Sequence, residues 1–501
     1  MMATRDSRYE KSPYGNPQSN SNRVILVVVI AWIAICIAVG TLSQSGPRQH
    51  PRQKTTRAAF PDASPAIGLR TQSCSTSNCH GDLIPDPRED SIRRDEYFVW
   101  LNDPHSRAAK TLSGERSLSI FRSLGLIDEN RNPLPGQSEN FDRHLENCLA
   151  CHETNRHLAG STAGHNAGSQ AEGVSCESCH GMATNWLSLH SRHEWKTASA
   201  DQKRELISGD DLTARVQRCS VCHVGSRHGG DVNHDLIAAG HPALRFEYVW
   251  YRARLPHHWK RTREMPRPAG PSNAVQAWTV GQLVTAIASL EQLERRLTID
   301  ASSNVGTEFA EFQCFACHHD LQGPSWRQHP KRHGGQQYAP WGNWSLQLLT
   351  SLADQHGTVN AKECSLTFDR LRSALQQSTS PDTTVLRSLT VAARERLKAW
   401  LTEIARLTEP EAEQILRNVA RHHPEQLISS WDQTASIVLG FASPYRDSEQ
   451  VPDSLREAMN RIRFPEISDS PQSFRSGIVE PHQSAEEWID LLRKLGDLPL
   501  P

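Results

Sequence analysis

A short motif of two cysteines and a histidine recurs five times and sets the main constraint on this chain. Four copies have the spacing C-x-x-C-H, and the first copy has two more residues between its cysteines. The motif histidines are His80, His152, His180, His223 and His318. The cysteines that precede them are Cys74 and Cys79, Cys148 and Cys151, Cys176 and Cys179, Cys219 and Cys222, and Cys314 and Cys317.

The C-x-x-C-H spacing is the attachment signature of c-type haem. The two thiols add to the haem vinyl groups as thioethers, and the histidine that follows becomes the proximal ligand of the iron. Zinc sites and dithiol oxidoreductases also use paired cysteines, but neither needs a histidine after the second cysteine in every copy. The sequence therefore predicts five covalently attached haem c groups, including one at the stretched motif Cys74–His80.

The composition agrees with a chain that folds around its cofactors. Apolar residues make up 37% of the 501 residues, which is below the usual share for a globular protein. Five porphyrins would supply the apolar volume that the side chains lack. The formal net charge of −1 gives no reason to expect a nucleic-acid partner. Most cysteines are used by the motifs, so no disulfide framework is predicted.

The N-terminal segment predicts a membrane anchor. Residues 1–23 are polar and predict a disordered cytoplasmic tail, and residues 24–42 form an uncharged apolar run before a linker at 43–71. The run is long enough to cross a bilayer as a helix, and basic residues before it place the N-terminus in the cytoplasm. The alternative is a cleaved signal peptide, for which the run is long. Either way, the bulk of the chain lies in the periplasm or an equivalent extracytoplasmic space.

Hydrophobic periodicity predicts a mainly α fold. Short helices and long loops are expected in a pentahaem cytochrome domain at 72–335, followed by an α-helical C-terminal region at 340–501. The clearest helix spans Asn273–Leu297, where apolar residues recur at helical spacing. A second apolar stripe runs from Leu386 to Leu407 in steps of three and four. Shorter helices are predicted near 344–352, 411–421, 425–439 and 486–495.

Histidines outside the motifs could supply a second axial ligand to each iron. A haem with two strong ligands carries electrons, whereas one with an open position can bind and transform a small molecule. His234 and His241 are seven residues apart, and a helix would place both on one face. The favoured distal ligands are His105, His190, His234, His241 and His319. Secondary candidates are His144, His193, His228, His257 and His258.

The stretch Ala171–Gly181, with Trp186 and His190 after it, resembles multihaem cytochromes of the hydroxylamine-oxidoreductase class. That class includes the tetrahaem electron-carrier cytochrome of ammonia oxidisers. The segments 233–247 and 314–321 resemble exported multihaem proteins of planctomycete type. The resemblance covers about residues 72–335 and implies closely packed haems, mostly with two histidine ligands. It also implies that a second histidine directly after a motif can serve a neighbouring haem.

The chain departs from that class in its stretched first motif, its five sites and its long C-terminal region. We therefore expect a membrane-anchored electron carrier that works with other redox proteins or a quinol-linked membrane complex. One alternative is an oxidoreductase acting on hydroxylamine, nitrite or a tetrathionate-type compound at one five-coordinate haem. Every motif ends in histidine, which disfavours the C-x-x-C-K haem of ammonia-forming nitrite reductases. Another alternative is a docking subunit that binds a partner through its C-terminal helices.

Intact-mass analysis of the membrane-extracted protein tests the five haems and the anchor together. The expected mass is that of the full chain plus five additions of about 0.6 kDa each, a mass fixed by haem chemistry. Four additions would indicate that the stretched motif Cys74–His80 carries no haem. A mass without any addition would contradict the haem prediction altogether. A soluble product that begins after residue 42 would show that the apolar run is a signal peptide.

Overall fold

The fold was obtained as a computed structural model, and it is mainly helical, as the sequence predicts. It describes residues 71–82, 94–154, 172–183, 186–203, 206–207, 211–225, 230–256, 258, 273–299, 308–313, 341–376, 382–428, 430–445, 450–462 and 485–500. All of these belong to the unit Pro65–Pro501. Within these ranges there is no β-strand, and the only β-pairing consists of two isolated bridges, Ile127 with Pro133 and Phe312 with Trp341.

The predicted membrane segment at 24–42 lies outside the described residues. Among the helices that are described, none is both long and apolar enough to cross a bilayer.

The haem-motif region is built from short helices. In the described ranges they are α1 (Glu96–Leu101), α2 (Glu115–Ser123), α3 (Ser138–His152), α4 (Cys176–His180), α5 (Leu187–His190), α6 (Ala200–Lys203), α7 (Leu212–His223), α8 (His234–Ala239) and α9 (Tyr248–Arg254). Helices α3 and α7 each end on a haem motif, and α4 consists of one. Residues three apart on a helix are neighbours on its surface. The helical turn therefore presents both cysteines of a motif on the same side.

Longer helices follow from residue 274 onwards. They are α10 (Ala274–Ile299), α11 (Leu349–His356), α12 (Val359–Gln376), α13 (Thr383–Ile404), α14 (Glu409–His422), α15 (Pro424–Leu427), α16 (Trp431–Ala442), α17 (Asp453–Ile462) and α18 (Ala485–Gly496). The predictions of helices at 273–297, 386–407, 411–421 and 486–495 are confirmed by α10, α13, α14 and α18. The single helix predicted at 425–439 is wrong, because the chain forms the two separate helices α15 and α16 there.

Helix α10 is the centre of the packing. It contacts α7 and α9 on the haem side and α13, α14 and α16 from the C-terminal region. Its predicted apolar stripe is buried, but so are polar residues on its other faces, such as Thr279 at 0% and Ser289 at 1% exposure. The Thr279 hydroxyl donates to the Val275 carbonyl at 2.8 Å, which satisfies it inside the core. A helix that is buried all round is typical of the interior of a large core.

One hydrophobic core joins the haem-motif helices to the C-terminal helices. It runs from Val216 of α7 through Trp278 of α10 to Leu495 of α18, all at or near zero exposure. The haem region therefore packs against the C-terminal helices, and a second, smaller cluster of Leu118, Phe121, Leu126 and Ile127 packs within the haem region itself. The predicted domain boundaries stay predictions.

A buried ion pair ties the segment between α8 and α9 to α16. The Arg245 Nε donates to Asp432 Oδ1 at 3.0 Å, and both side chains are almost completely buried. The Arg245 guanidinium also lies over the Trp431 ring, 5.3 Å from its centroid. Nearby, Trp344 Nε1 donates to the Phe246 carbonyl at 2.8 Å. Loss of either charge would leave the other buried and unpaired, so the pair restricts how these segments can be arranged.

The close approach of α16 to α10 generates a stability prediction. A Cβ on Gly440 would lie 2.8 Å from the Trp278 ring and 3.0 Å from Leu416. Alanine gains about 1 kcal/mol in helix propensity over glycine, but overpacking a core costs about 1–3 kcal/mol. The difference is a net cost, and we expect Gly440→Ala to lower the free energy of unfolding by up to about 2 kcal/mol in denaturant titrations.

The matched control is Gly281→Ala on α10. It makes the same propensity gain, and its Cβ would meet only the Tyr248 Cβ at 3.3 Å. This variant should be close to neutral. A Gly440→Ala variant as stable as Gly281→Ala would contradict the tight packing of α16 on α10.

Candidate haem sites

We number the candidate haem sites 1 to 5 in chain order of their motif histidines, His80, His152, His180, His223 and His318. The motif of site 5, together with His319, lies outside the described residues. Sites 1 to 4 are described in full at their motifs.

The stretched motif of site 1 closes into a compact turn. The His80 amide donates to the Cys74 carbonyl at 3.1 Å, and the Cys79 amide donates to the Thr76 carbonyl at 2.9 Å. Gly81 follows, and a Cβ there would lie 1.7 Å from the Ser75 carbonyl oxygen. Only glycine fits this close approach of two backbone segments. The two additional residues are therefore taken up in a tight turn that keeps Cys74 next to His80.

Helix α10 positions the motif of site 2 through Asp231. Asn147, directly before Cys148, exchanges two hydrogen bonds with the Asp231 backbone, of 2.9 and 3.0 Å. The Asp231 carboxylate accepts from Gln292 Nε2 and from Arg296 Nε of α10, both at 3.0 Å. Because α7 packs directly on α10 as well, one helix supports the motifs of sites 2 and 4.

The motif of site 3 forms α4, which is held by a buried carboxylate. Glu177 is 2% exposed, and its Oε1 accepts from the Ala183 amide at 2.8 Å. The turn between them contains Gly181 with φ 83°, a left-handed conformation that favours glycine.

Three motif histidines face a second histidine from a distant part of the chain. The ring centroids of His80 and His190 are 6.2 Å apart, with an interplanar angle of 15°. At site 3, the His180 and His258 rings are 6.1 Å apart at 82°. At site 4, the His223 and His105 rings are 6.0 Å apart at 85°.

This spacing matches two imidazoles on opposite sides of one metal ion. Two metal–imidazole bonds of about 2 Å, plus about 1 Å from each nitrogen to its ring centre, separate the ring centroids by about 6 Å. A structural zinc site would instead need four converging donors. Within the described ranges, no group of three or more Cys, His, Asp or Glu side chains could hold a metal ion directly.

Two of the predicted distal ligands, His190 and His105, are the partners of sites 1 and 4. The partner of site 3 is His258, which the sequence placed only among the secondary candidates. His258 lies outside any described helix and has no recurring local pattern to mark it. Nothing but the fold brings it to His180.

Site 2 differs from the three paired sites. Among the described residues, no histidine ring faces His152 at the 6 Å spacing of the other pairs. The predicted ligand His241 lies close enough for the charge of His152 to contribute to lowering its pKa, although burial is the main cause. His234 lies against Phe309 at 5.7 Å, beside the segment that leads to the site 5 motif. The roles of His234 and His241 as distal ligands stay predictions.

Four imidazoles at the sites, three of them from the pairs and one the motif histidine of site 2, are oriented through their Nδ1 atoms, which leaves Nε2 free to bind a metal. Backbone carbonyls accept from His190 Nδ1 at 2.7 Å and from His152 Nδ1 at 2.9 Å. Carboxylates accept in two cases, Glu96 from His80 at 3.1 Å and Asp103 from His105 at 2.9 Å. Such bonds fix the tautomer and the ring orientation of a metal ligand.

Burial keeps two of the proximal imidazoles neutral. It lowers the pKa of His180 to about 4, with smaller effects from neighbouring histidines. It lowers the pKa of His223 to about 3. Neutral imidazole is the form that binds a metal. Phe246 and Tyr251 enclose the His223 ring at centroid distances of 5.1 and 5.0 Å.

Cysteines of different motifs lie in contact, so the sites form a connected series. The Cys74 thiol of site 1 lies close enough to the Cys176 thiol of site 3 for each to shift the pKa of the other, downward for Cys74 and upward for Cys176. The Cys151 Sγ of site 2 lies 3.9 Å from the Cys222 carbonyl oxygen of site 4, and Cys151 contributes to raising the pKa of the Cys222 thiol. Cys179 of site 3 interacts electrostatically with Cys222 of site 4. The order in space is therefore site 1, site 3, site 4, site 2.

Unpaired polar groups around these sites fit the propionates of haem. Trp186 packs edge-on against His190 at 5.2 Å, and its buried Nε1 has no acceptor in the described part of the chain. The buried Nε of Arg215, near Cys219, likewise has none. Haem propionates are anionic acceptors of the kind that these donors require. The histidine pairs, the cysteine pairs and these donors together fit haem c.

The comparison with protein families agrees with this chemistry. Residues 73–181 match the family model described as cytochrome c554 and c-prime. This segment is similar to multihaem c-type cytochromes. The match supports haem c as the cofactor and electron transfer as its role. No curated protein and no solved structure matches the chain.

The unexpected pairing of His258 can be tested by substitution. His258→Ala should leave the iron of site 3 with one axial ligand, turn that haem high-spin and allow it to bind carbon monoxide. The measurement is the ferric absorption spectrum and the carbon monoxide difference spectrum of the purified protein. His144→Ala is the control, because His144 Nδ1 also bonds a backbone carbonyl, that of Asn140 at 2.8 Å. Identical spectra for the two variants would show that another group holds the site 3 iron.

Proposed function

We propose that this protein is a pentahaem c-type cytochrome that passes electrons along a series of mostly bis-histidine haems. The observation that supports it most directly is the set of three histidine pairs at about the separation of trans axial ligands. An iron with both axial positions filled exchanges electrons without binding a substrate.

The cysteine contacts support a continuous path for the electron. Each cysteine would be joined to the edge of its haem, so contacts between cysteines of sites 1 and 3 and of sites 2 and 4 bring haem edges together. Sites 3 and 4 are linked through Cys179 and Cys222. We propose that electrons pass between site 1 and site 2 through sites 3 and 4. The relation to the hydroxylamine-oxidoreductase class is part of this proposal.

We further propose that residues 24–42 anchor the protein in the membrane, with the bulk of the chain in the periplasm or an equivalent space. The length and charge-free character of that segment support the anchor. An anchor would hold the haem series close to a quinol-linked membrane complex, and soluble redox proteins are the other partners that we propose. No nucleic-acid partner is proposed.

Site 2 supports a second candidate function. Its histidine is not paired at the 6 Å spacing within the described residues, and it is anchored by Ala108 and Thr111 on its Nδ1 side. An open iron there could bind a small nitrogen or sulfur compound. The protein would then be an oxidoreductase whose other haems deliver or remove electrons.

Low-temperature EPR of the oxidised wild-type protein tests the proposal. Axial imidazoles that are nearly parallel separate the iron d-orbitals and give a rhombic low-spin signal. Nearly perpendicular imidazoles leave those orbitals close in energy and give a highly anisotropic low-spin signal. We expect one rhombic signal from site 1, at 15°, and two highly anisotropic signals from sites 3 and 4, at 82° and 85°.

The same spectra separate the two candidate functions. A protein without any high-spin ferric signal is an electron carrier only. A high-spin signal that nitrite or hydroxylamine converts to another species favours the oxidoreductase. If no low-spin haem is found, the proposed ligation by histidine pairs is wrong.

A further inference from the structure

A single buried carboxylate, Asp103, holds the distal histidine of site 4. Its Oδ1 accepts from His105 Nδ1 at 2.9 Å and from the His105 backbone amide at 3.0 Å. The Asp103 side chain is only 9% exposed. Both bonds come from the same residue, so the imidazole has little freedom to turn away from His223.

The same carboxylate also lies close to site 3. Its negative charge interacts with the imidazole of His258, the partner of His180, and with Cys179 of that site. Sites 3 and 4 are the two central members of the series. One buried carboxylate is thus hydrogen-bonded to the proposed distal ligand of site 4 and within electrostatic range of that of site 3.

The other anchored imidazoles near the sites differ from this arrangement. His190, His152 and His241 donate to the backbone carbonyls of Leu187, Ala108 and Pro242, which are neutral acceptors. His80 donates to a carboxylate, but the Glu96 side chain is 22% exposed and so more strongly screened by water. Asp103 is the more buried of these two carboxylates.

We propose that Asp103 is a positioning residue that lowers the reduction potentials of the two central haems, that of site 4 more than that of site 3. The inference rests on the proposed function, because it requires haems held by the pairs His223–His105 and His180–His258. The inference adds to the proposed function a residue that would help to set the reduction potentials along the series of haems.

The physical basis is the charge of the iron. Ferric haem carries one more positive charge than ferrous haem, so a nearby buried anion stabilises the ferric form. A carboxylate that accepts the Nδ1 hydrogen also makes the imidazole a stronger donor to the metal, which acts in the same direction. Reduction adds one electron to the iron, which a neighbouring haem of the series or, in a titration, the added reductant would supply. The effect should be larger at site 4, where Asp103 is hydrogen-bonded to the ligand.

The test is an EPR-monitored redox titration of the full-length, haem-loaded protein and its Asp103→Asn variant. Asparagine keeps a carbonyl acceptor for both His105 bonds and removes the charge. We expect the ferric-to-ferrous equilibrium of site 4 to shift toward the ferrous form by about tenfold, or about 59 mV for one electron. Site 3 should shift less and in the same direction.

The ring angles identify which haems respond. The highly anisotropic signals of sites 3 and 4 should titrate at higher potential in the variant, while the rhombic signal of site 1 keeps its midpoint. Asp382→Asn is the matched control. It removes one carboxylate charge at the start of α13, where asparagine can still cap the helix. It should change no midpoint.

If Asp103→Asn does not fold, Asp103→Ser removes the same charge and keeps a hydroxyl that can accept from the His105 amide. Unchanged midpoints with intact low-spin signals would overturn the role of Asp103 and leave the proposed electron carrier standing. Loss of the low-spin signal in the variants would show that ligation itself fails without the carboxylate, and it would overturn the role of Asp103 in setting the potential. Absence of the anisotropic signals from the wild-type protein would overturn the ligation, and this inference with it.

Discussion

The burial of α10 on all of its faces is the constraint on which the rest of the structure depends. One side of this helix supports α7, and Gln292 and Arg296 hold Asp231, which fixes Asn147 at the start of the site 2 motif. Its other sides are covered by helices from the C-terminal region. The C-terminal helices supply most of the core against which the motif helix α7 packs, while the motif helix α3 also packs on a smaller core within the haem region.

The motif histidine of a candidate site is easier to recognise in the sequence than the histidine that faces it, for a physical reason. A proximal ligand is part of a local motif, because both cysteines and the histidine must reach one haem. A distal ligand needs only to arrive from the other side, and the fold can bring it from anywhere. His105 and His190 had recognisable settings, whereas His258 faces His180 from a segment with no periodic pattern.

The helices show the same division between local and tertiary information. The stripe of α13 is made of large apolar residues, and the sequence predicts it well. Helix α12 was missed because its buried face uses Ala361 and Cys364 beside Phe368 and Leu371, which makes a weaker pattern. The start of α16 also carries a contact with a distant residue. Asp432, at the second position of α16, pairs with Arg245, and that partner is not visible in the local sequence.

The contacts between cysteines of different motifs carry a consequence for how the protein matures. In the folded chain, Cys74 meets Cys176 and Cys151 meets Cys222, and neither contact joins cysteines of one motif. In an oxidising compartment such neighbours are poised to form disulfides. A chain that folded before receiving its haems would thus risk locking four sites through wrong cross-links. Attachment of haem before folding would remove this risk, because the thioether bonds would occupy the thiols before the motifs come together.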